Sequence, residues 1–412
     1  MIVNWNEITK GLHRGMKKES FFRMLGRRKA YVVAELFFVY LVLGIGLIML
    51  GSVLPMLKAE YQLDYKTGGM LLSVQSVGYL AIGLLTGVLS LKIGLKRAYL
   101  ILYTLFSIGL VMLLVNGAPM WLMAAMLLIG LAKGAITDYN NRVVNEYSGG
   151  NASPLNLLHA FFAIGACLAP FIVLFCTRNG NGGWRTAVIF ASALGVVSLI
   201  SGFFMHLQEG SAAPTEQHAA PSTGFGFLRE RLFWQTTVIG FCYQAVEASM
   251  MGWLTSFYVD TGVMGTGSAQ VITSMLWVSL LIGRFSCSAI AARFRPFQMI
   301  LVMCLGMAGF LTLLVCSHSL IMVLLATVGL GLCMSGMYGT SVANAGDTFA
   351  RYPISMGLFV TMTGVGAAIA PTAVGVLADR FDLRTGFGVL LIAAILLVAA
   401  AIVNARYFRK KA

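Results

Sequence analysis

Charge is scarce in this chain. Asp, Glu, Lys and Arg make up 11% of its 412 residues, against 58% hydrophobic residues. A soluble domain carries roughly 25% charged residues, because its surface must be hydrated. The mean hydropathy of +0.83 agrees. A water-soluble globule is therefore excluded, and most of the surface must face lipid.

Other things are missing too. No HExxH, GxSxG or GxxxxGK[ST] string occurs, so nothing marks a zinc protease, a hydrolase nucleophile turn or an ATP phosphate loop. We expect no enzyme activity, no catalytic residue, no cofactor and no metal. Without an ATP site, transport would draw on an ion or solute gradient. The seven cysteines are odd in number and form no CxxC pair, which rules out a complete disulfide framework. They lie in or beside apolar runs, as small buried side chains do. A cleavable signal is not expected. Residues 1–29 are polar and basic, and the apolar run after them is too long and lacks a small-residue cleavage site.

What is present is a series of apolar runs. A helical crossing needs about 20 mostly apolar residues to cover ~30 Å of hydrocarbon. Twelve such runs are legible: 30–55, 69–91, 97–116, 120–143, 155–176, 184–205, 233–259, 268–292, 298–316, 319–343, 354–378 and 386–405. All should be helices, since lipid offers backbone groups no partner. The longest polar interruption, 206–232, has no apolar periodicity and reads as a linker. The expected organisation is a basic cytoplasmic tail at 1–29, a six-helix bundle at 30–205, the cytoplasmic linker, a second six-helix bundle at 233–406, and a short tail at 407–412.

A net charge of +14 could point to nucleic acid, but the positions argue otherwise. With the N-terminus inside, only six of the 29 Lys and Arg residues fall in outside segments: Lys58, Lys66, Arg178, Arg185, Arg380 and Arg384. Lys133 lies within a run, and the rest belong to the tails and the segments assigned inside. That bias sets membrane orientation. It predicts a multi-pass protein of the cytoplasmic membrane with both termini in the cytoplasm. No nucleic-acid partner is expected.

The chain also repeats itself. IGACLAP at 164–170 returns as VGAAIAP at 365–371, and YLAIG at 79–83 faces SLLIG at 279–283. Two matches at nearly one offset imply two six-helix halves in parallel orientation. This resembles the organisation of major facilitator transporters, with the solute site between the halves near the midplane. Close-spaced glycines, among them Gly364 and Gly366 ahead of Pro371, permit close helix packing. A gating hinge is the alternative for that pair.

A charge within a span is a functional candidate by default. Tyr243, Gln244 and Glu247 share one face of the seventh run, followed by Trp253. Such a face should look into a cavity, where Glu247 could bind solute or carry a proton. A structural hydrogen bond is the plainer alternative. In the fourth run, Asp138, Arg142 and Glu146 are spaced as a charge ladder, either a gate cluster or a solute contact. Asn140 and Asn141 suit hydroxyls, because an amide both donates and accepts. Asn156 and His159 open the fifth run. His159 could relay protons or simply be hydrogen-bonded. Lys133 should pair with an unnamed carboxylate. Arg284 is assigned to the inner gate, and Glu35 to structure.

Three segments resemble the fucose permease branch of the major facilitator superfamily: LNLLHAFFAIGACLAP, YQAVEASMMGWLTSFYV and LLIGRFSCSAIAARFRP. The resemblance implies proton-coupled sugar uptake by alternating access, with Glu247, Asn156 and Asn141 in the cavity. Two positions depart from that branch. Gly51 stands where it has an acidic residue before the proline of span one. Thr137 occupies the acidic place of a Gly-x-x-acid pattern, with Asp138 one residue later. The resulting expectation is a monomeric proton symporter for a sugar or similar polyhydroxylated solute. Asn140, Asn141, Asn156, Tyr243, Gln244 and Glu247 would bind it, and Trp253 would stack on it. Glu247, Asp138 and His159 would couple protons, and Arg142, Glu146 and Arg284 would gate. Export of amphipathic compounds and solute sensing are the alternatives.

Overall fold

The computed structural model describes residues 26–83, 85–148, 152–178, 180, 182–206, 224–291 and 293–411. The tail assigned to 1–29 lies outside these up to residue 25, as does most of the 206–232 linker. The described chain is helical, without strands: α1 Gly26–Tyr61, α2 Tyr65–Ile82, α3 Leu85–Ile93, α4 Leu95–Val115, α5 Pro119–Tyr147, α6 Ala152–Cys176, α7 Gly183–Phe203, α8 Arg231–Asp260, α9 Thr266–Ile290, α10 Pro296–Cys316, α11 Leu320–Met334, α12 Met337–Asn344, α13 Gly346–Arg351, α14 Pro353–Arg380 and α15 Leu383–Lys411.

Among the described residues, ten helical stretches are long and apolar enough to cross a membrane, the α11–α12 run counting as one, and the bent pair α2–α3 makes an eleventh. The remaining expected crossing is α8. Its 30 residues span roughly 45 Å at 1.5 Å each, so length is no obstacle. Composition is what sets it apart: buried Thr236, Thr237, Ser249, Thr255 and Ser256 join Tyr243 and Glu247 along it. A helix this polar has to be enclosed by protein.

The two halves pack alike. In the first, α1 contacts α6 and α7, α2 contacts α5, and α4 contacts α5 and α7. In the second, α8 contacts α14 and α15, α9 contacts α11, and α10 contacts α11 and α15. These are the same five pairings shifted by six crossings. The sequence repeat is the device that makes one of them. A Cβ added to Gly165 would run into the carbonyl oxygen of Leu41 on α1, and one added to Gly366 into that of Phe241 on α8. Both glycines hold the same place in the repeated heptapeptide. Gly366 is thus a close-approach contact, which favours packing over a hinge. Between the halves, α2 meets α14, α6 meets α9 and α1 meets α8.

Two polar groups expected in the spans tie helices together. Glu35 is buried and accepts a hydrogen bond from Ser201 Oγ on α7 at 2.7 Å. Asn140 is fully buried, and its Nδ2 donates to Leu36 O on α1 at 3.0 Å. Asn140 therefore belongs to the α1–α5 contact and not to a solute cavity.

Successive crossings alternate in direction, which defines a terminal face, where α1 begins and α15 ends, and a far face. The halves are sealed at the far face. The backbone N–H groups of Tyr65 and Lys66, in the first turn of α2, donate to the two carboxylate oxygens of Asp379 on α14, each at 2.7 Å. Asp64 caps the same helix through Thr67 N–H at 2.7 Å, and those hydrogen bonds hold its carboxyl below the usual range. Lys58 on α1 sits 3.5 Å from Asp260 on α8, which also accepts from Tyr65 OH at 3.0 Å. Thr372 Oγ1 donates to Ser73 Oγ at 2.7 Å and Gln270 Nε2 to Ser52 O at 2.8 Å. Gly51 lies against the backbone of Met251 and Gly252, so an acidic residue at that place would not fit this closure.

Two outcomes follow from this packing. Overpacking a tight contact costs roughly 1–3 kcal/mol, so Gly165→Ala and Gly366→Ala should each lower the Tm of the detergent-purified protein by several degrees. Gly388→Ala, where an added Cβ meets nothing within 4 Å, should not. Charge-assisted bonds to helix-terminal amides are among the stronger ones, though solvent screens an exposed carboxylate. Asp379→Ala should therefore loosen the far seam. In a background lacking the seven native cysteines, a cysteine at Ser73 should react several-fold faster with a membrane-impermeant maleimide added at that face. An unchanged rate would show that Asp379 does not hold the seam.

Candidate functional site

A cavity of about 820 Å³ lies between the halves. Its lining comes from the terminal-face ends of the helices: Asp138 and Asn141 late in α5, Asn156 and His159 early in α6, Arg284, Phe285, Cys287 and Ser288 late in α9, Met299 early in α10. It is therefore open toward the terminal face. A second chamber of about 240 Å³ continues deeper, past Lys133, Gln75 and Leu47, to Gly51 and Gly252 at the far seam. Tyr79, Thr137, His159, Gln244, Glu247 and Arg284 line both spaces and form the neck between them.

Each helix contributes by register. On α5, Lys133, Thr137 and Asn141 recur every four residues and share a face. On α8, Tyr243 and Gln244 stand one turn before Glu247. The Tyr243 hydroxyl donates to Glu247 Oε1 at 2.7 Å. From α6, His159 meets the Tyr40 ring edge-on at 5.5 Å. From α2, the Tyr79 ring lies 4.9 Å from Lys133 Nζ. Arg284 and Lys133 line the deep chamber together with Glu247. Among the described residues, neither cation makes an ion pair within 4.0 Å.

The structure thus brings together Asn141, Asn156, Tyr243, Gln244, Glu247, Asp138, His159 and Arg284. It does not bring in the rest. Trp253 is fully buried in the far seam, where its Nε1 donates to Pro371 O at 3.1 Å and its ring lies 6.0 Å from Tyr65. It cannot stack on a solute in this cavity. Asn140 points at α1. The ladder of Asp138, Arg142 and Glu146 does not form. Asp138 instead accepts from Thr86 Oγ1 at 3.0 Å, and exposed Arg142 and Glu146 line neither space. Arg284, assigned to the inner gate, stands at the neck between the two spaces. Lys133, expected to be paired, faces the deep chamber over an aromatic ring. Tyr79, Gln75 and Thr137 line these spaces without having been expected there, Thr137 having been noted only as a departure from the branch pattern. The i−4 and i+4 spacing of Lys133 and Asn141 about Thr137 was the available signal for one of them.

Comparison with known proteins fits this geometry. The model of the Major Facilitator Superfamily matches residues 36–316. An uncharacterized MFS-type transporter of Yersinia pestis is 23% identical over 368 residues, covering 88% of this chain and 92% of that protein. Among solved structures, the nucleoside transporter NupG matches with a TM-score of 0.74 at 15% identity, over 92% of this chain and 100% of that one. The transporter FucP in its outward conformation matches at 0.62 and 17%, over 92% and 99%. At such identities the structural likeness is one of fold. The family match spans well over half of the sequence, and the repeated helix pairings agree with it: the chain belongs to the Major Facilitator Superfamily.

Proposed function

We propose that this protein is a secondary active transporter that moves a small polar solute, of the sugar class, across the cytoplasmic membrane in symport with protons. Glu247 carries the reading. It is a carboxylate within a membrane-spanning bundle, it lines both the wide cavity and the deep chamber, and a phenol donates to it. Such a group exchanges a proton with whichever space is open, and its charge changes what the chamber will hold. Asn141, Asn156, Gln244 and Thr137 offer both donors and acceptors to hydroxyls around it. His159 shares the neck with Glu247, and Asp138 lines the wide cavity; in this reading they pass protons to and from Glu247. The likeness in fold to FucP adds support, as do the branch motifs around Asn156, Glu247 and Arg284. The state described is the one open at the terminal face, and alternating access requires the far seam to part and that face to close.

Uptake into proteoliposomes should accelerate at least tenfold under an inward proton gradient. Glu247→Gln should abolish that acceleration while leaving exchange of solute for solute. Gradient-driven accumulation that survives the substitution would remove Glu247 from coupling.

The same reading places both termini in the cytoplasm, on the asymmetry of Lys and Arg. Green fluorescent protein fused at the C-terminus should fluoresce, and alkaline phosphatase fused there should be inactive. The converse pattern would reverse the orientation.

A further inference from the structure

The charge inside the deep chamber is unbalanced. Its lining contributes Lys133 and Arg284 against one carboxylate, Glu247. Among the described residues, the other titratable side chains lining it are Tyr40, Tyr79 and His159. Asp138 lies outside it, in the wide cavity, and is engaged by Thr86. The wide cavity is open to water, which screens its charges, those of Arg284 and Glu247 at the shared neck included; Lys133 lines only the deep chamber. The chamber is small, sealed at the far seam and surrounded by helices. An uncompensated cation in such a place is costly, and its natural answer is an anion.

On this basis, and resting on the transport reading above, we infer that the solute carries a carboxylate: the chamber takes a polyhydroxylated acid, of the aldonate or hexuronate class, bound between Lys133 and Arg284. The guanidinium of Arg284 suits a planar carboxylate in two-point contact, and the Lys133 ammonium supplies a compact second charge. Thr137, Gln75, Gln244 and the Tyr79 hydroxyl remain for the hydroxyl groups.

The arrangement also explains why a proton would travel with the solute. With Glu247 ionised, an entering carboxylate meets a like charge across the neck. With Glu247 protonated that repulsion is gone, and Lys133 and Arg284 keep their attraction for the acid. Protonation of Glu247 and binding of the acid therefore favour each other, and by linkage each raises the affinity of the other by the same factor. One anion and one proton enter together, so the translocated complex carries no net charge. A neutral sugar moved with a proton would carry one positive charge.

The purified protein distinguishes these cases with two matched pairs of probes, D-glucuronate against D-glucose and D-gluconate against D-sorbitol. The acid of each pair should bind at least tenfold more tightly, read by thermal stabilisation. Lys133→Met and Arg284→Gln should each remove that preference, and Arg284→Lys should restore part of it. Because these variants could also perturb packing, the second measurement uses the unaltered protein in proteoliposomes. Uptake of the acid should follow an inward proton gradient and stay unchanged when a potassium–valinomycin potential is imposed. Equal or tighter binding of the neutral members, no binding of any member, or acid uptake driven by membrane potential would each overturn the inference. Proton-driven uptake of the neutral members alone would overturn it and leave the transport reading standing. A clear binding preference for the acids without flux would support the chamber's assignment and defeat the transport reading.

Discussion

An ionised side chain held between two membrane faces must meet water, an opposite charge or a set of hydrogen bonds, because hydrocarbon offers none of these. Glu247, Lys133 and Arg284 all sit under this constraint, and one shared space answers it for all three. The rest of the architecture serves that space. α8 has to be polar along one face and so has to be enclosed. Enclosing it demands that α14 approach α8 closely, which is what Gly366 permits. The corresponding close approach of α6 to α1 uses Gly165 in the other half. Glu35 and Asn140 show the alternative solution, in which a polar group inside the bundle is consumed by a neighbouring helix and plays no part in the cavity.

The far seam is built differently from the cavity. Its principal contacts reach backbone groups: Asp379 receives two amide protons of α2, Gln270 donates to a carbonyl of α1, and Gly51 rests on the backbone of α8. Such contacts fix where one half lies against the other. Lys58, Tyr65 and Asp260 add a charged cluster at the rim. The cavity, by contrast, is lined by side chains that keep spare donors and acceptors. One surface is arranged to bind itself and the other to bind something else.

Much of this was legible in the sequence, and the reasons are physical. Hydrocarbon thickness sets the length of apolar runs, so all twelve expected crossings could be marked off by length and composition, including α8, the polar wall of the cavity. The repeated heptapeptide was visible because backbone contact tolerates only glycine there. The face carrying Tyr243, Gln244 and Glu247 followed from helical periodicity. Most of what failed required knowing a neighbour. Asn140 and Asn141 are adjacent and about 100° apart on α5, and only the position of α1 decides which one faces the cavity. The ladder from Asp138 to Glu146 was defeated by Thr86, 52 residues away in the chain. Trp253 was avoidable: six residues past Glu247, it lies about 240° around the same helix, off the cavity face.

One feature of the sealed state bears on pharmacology. With the 820 Å³ cavity reachable from one side only in this state, a competitive blocker large enough to wedge there is sided: from the compartment the cavity faces it holds this conformer, and from the other it must wait for the far seam to open. The ratio of its potencies on right-side-out and inverted vesicles then reports which conformer the resting protein prefers, with no need to know what it carries.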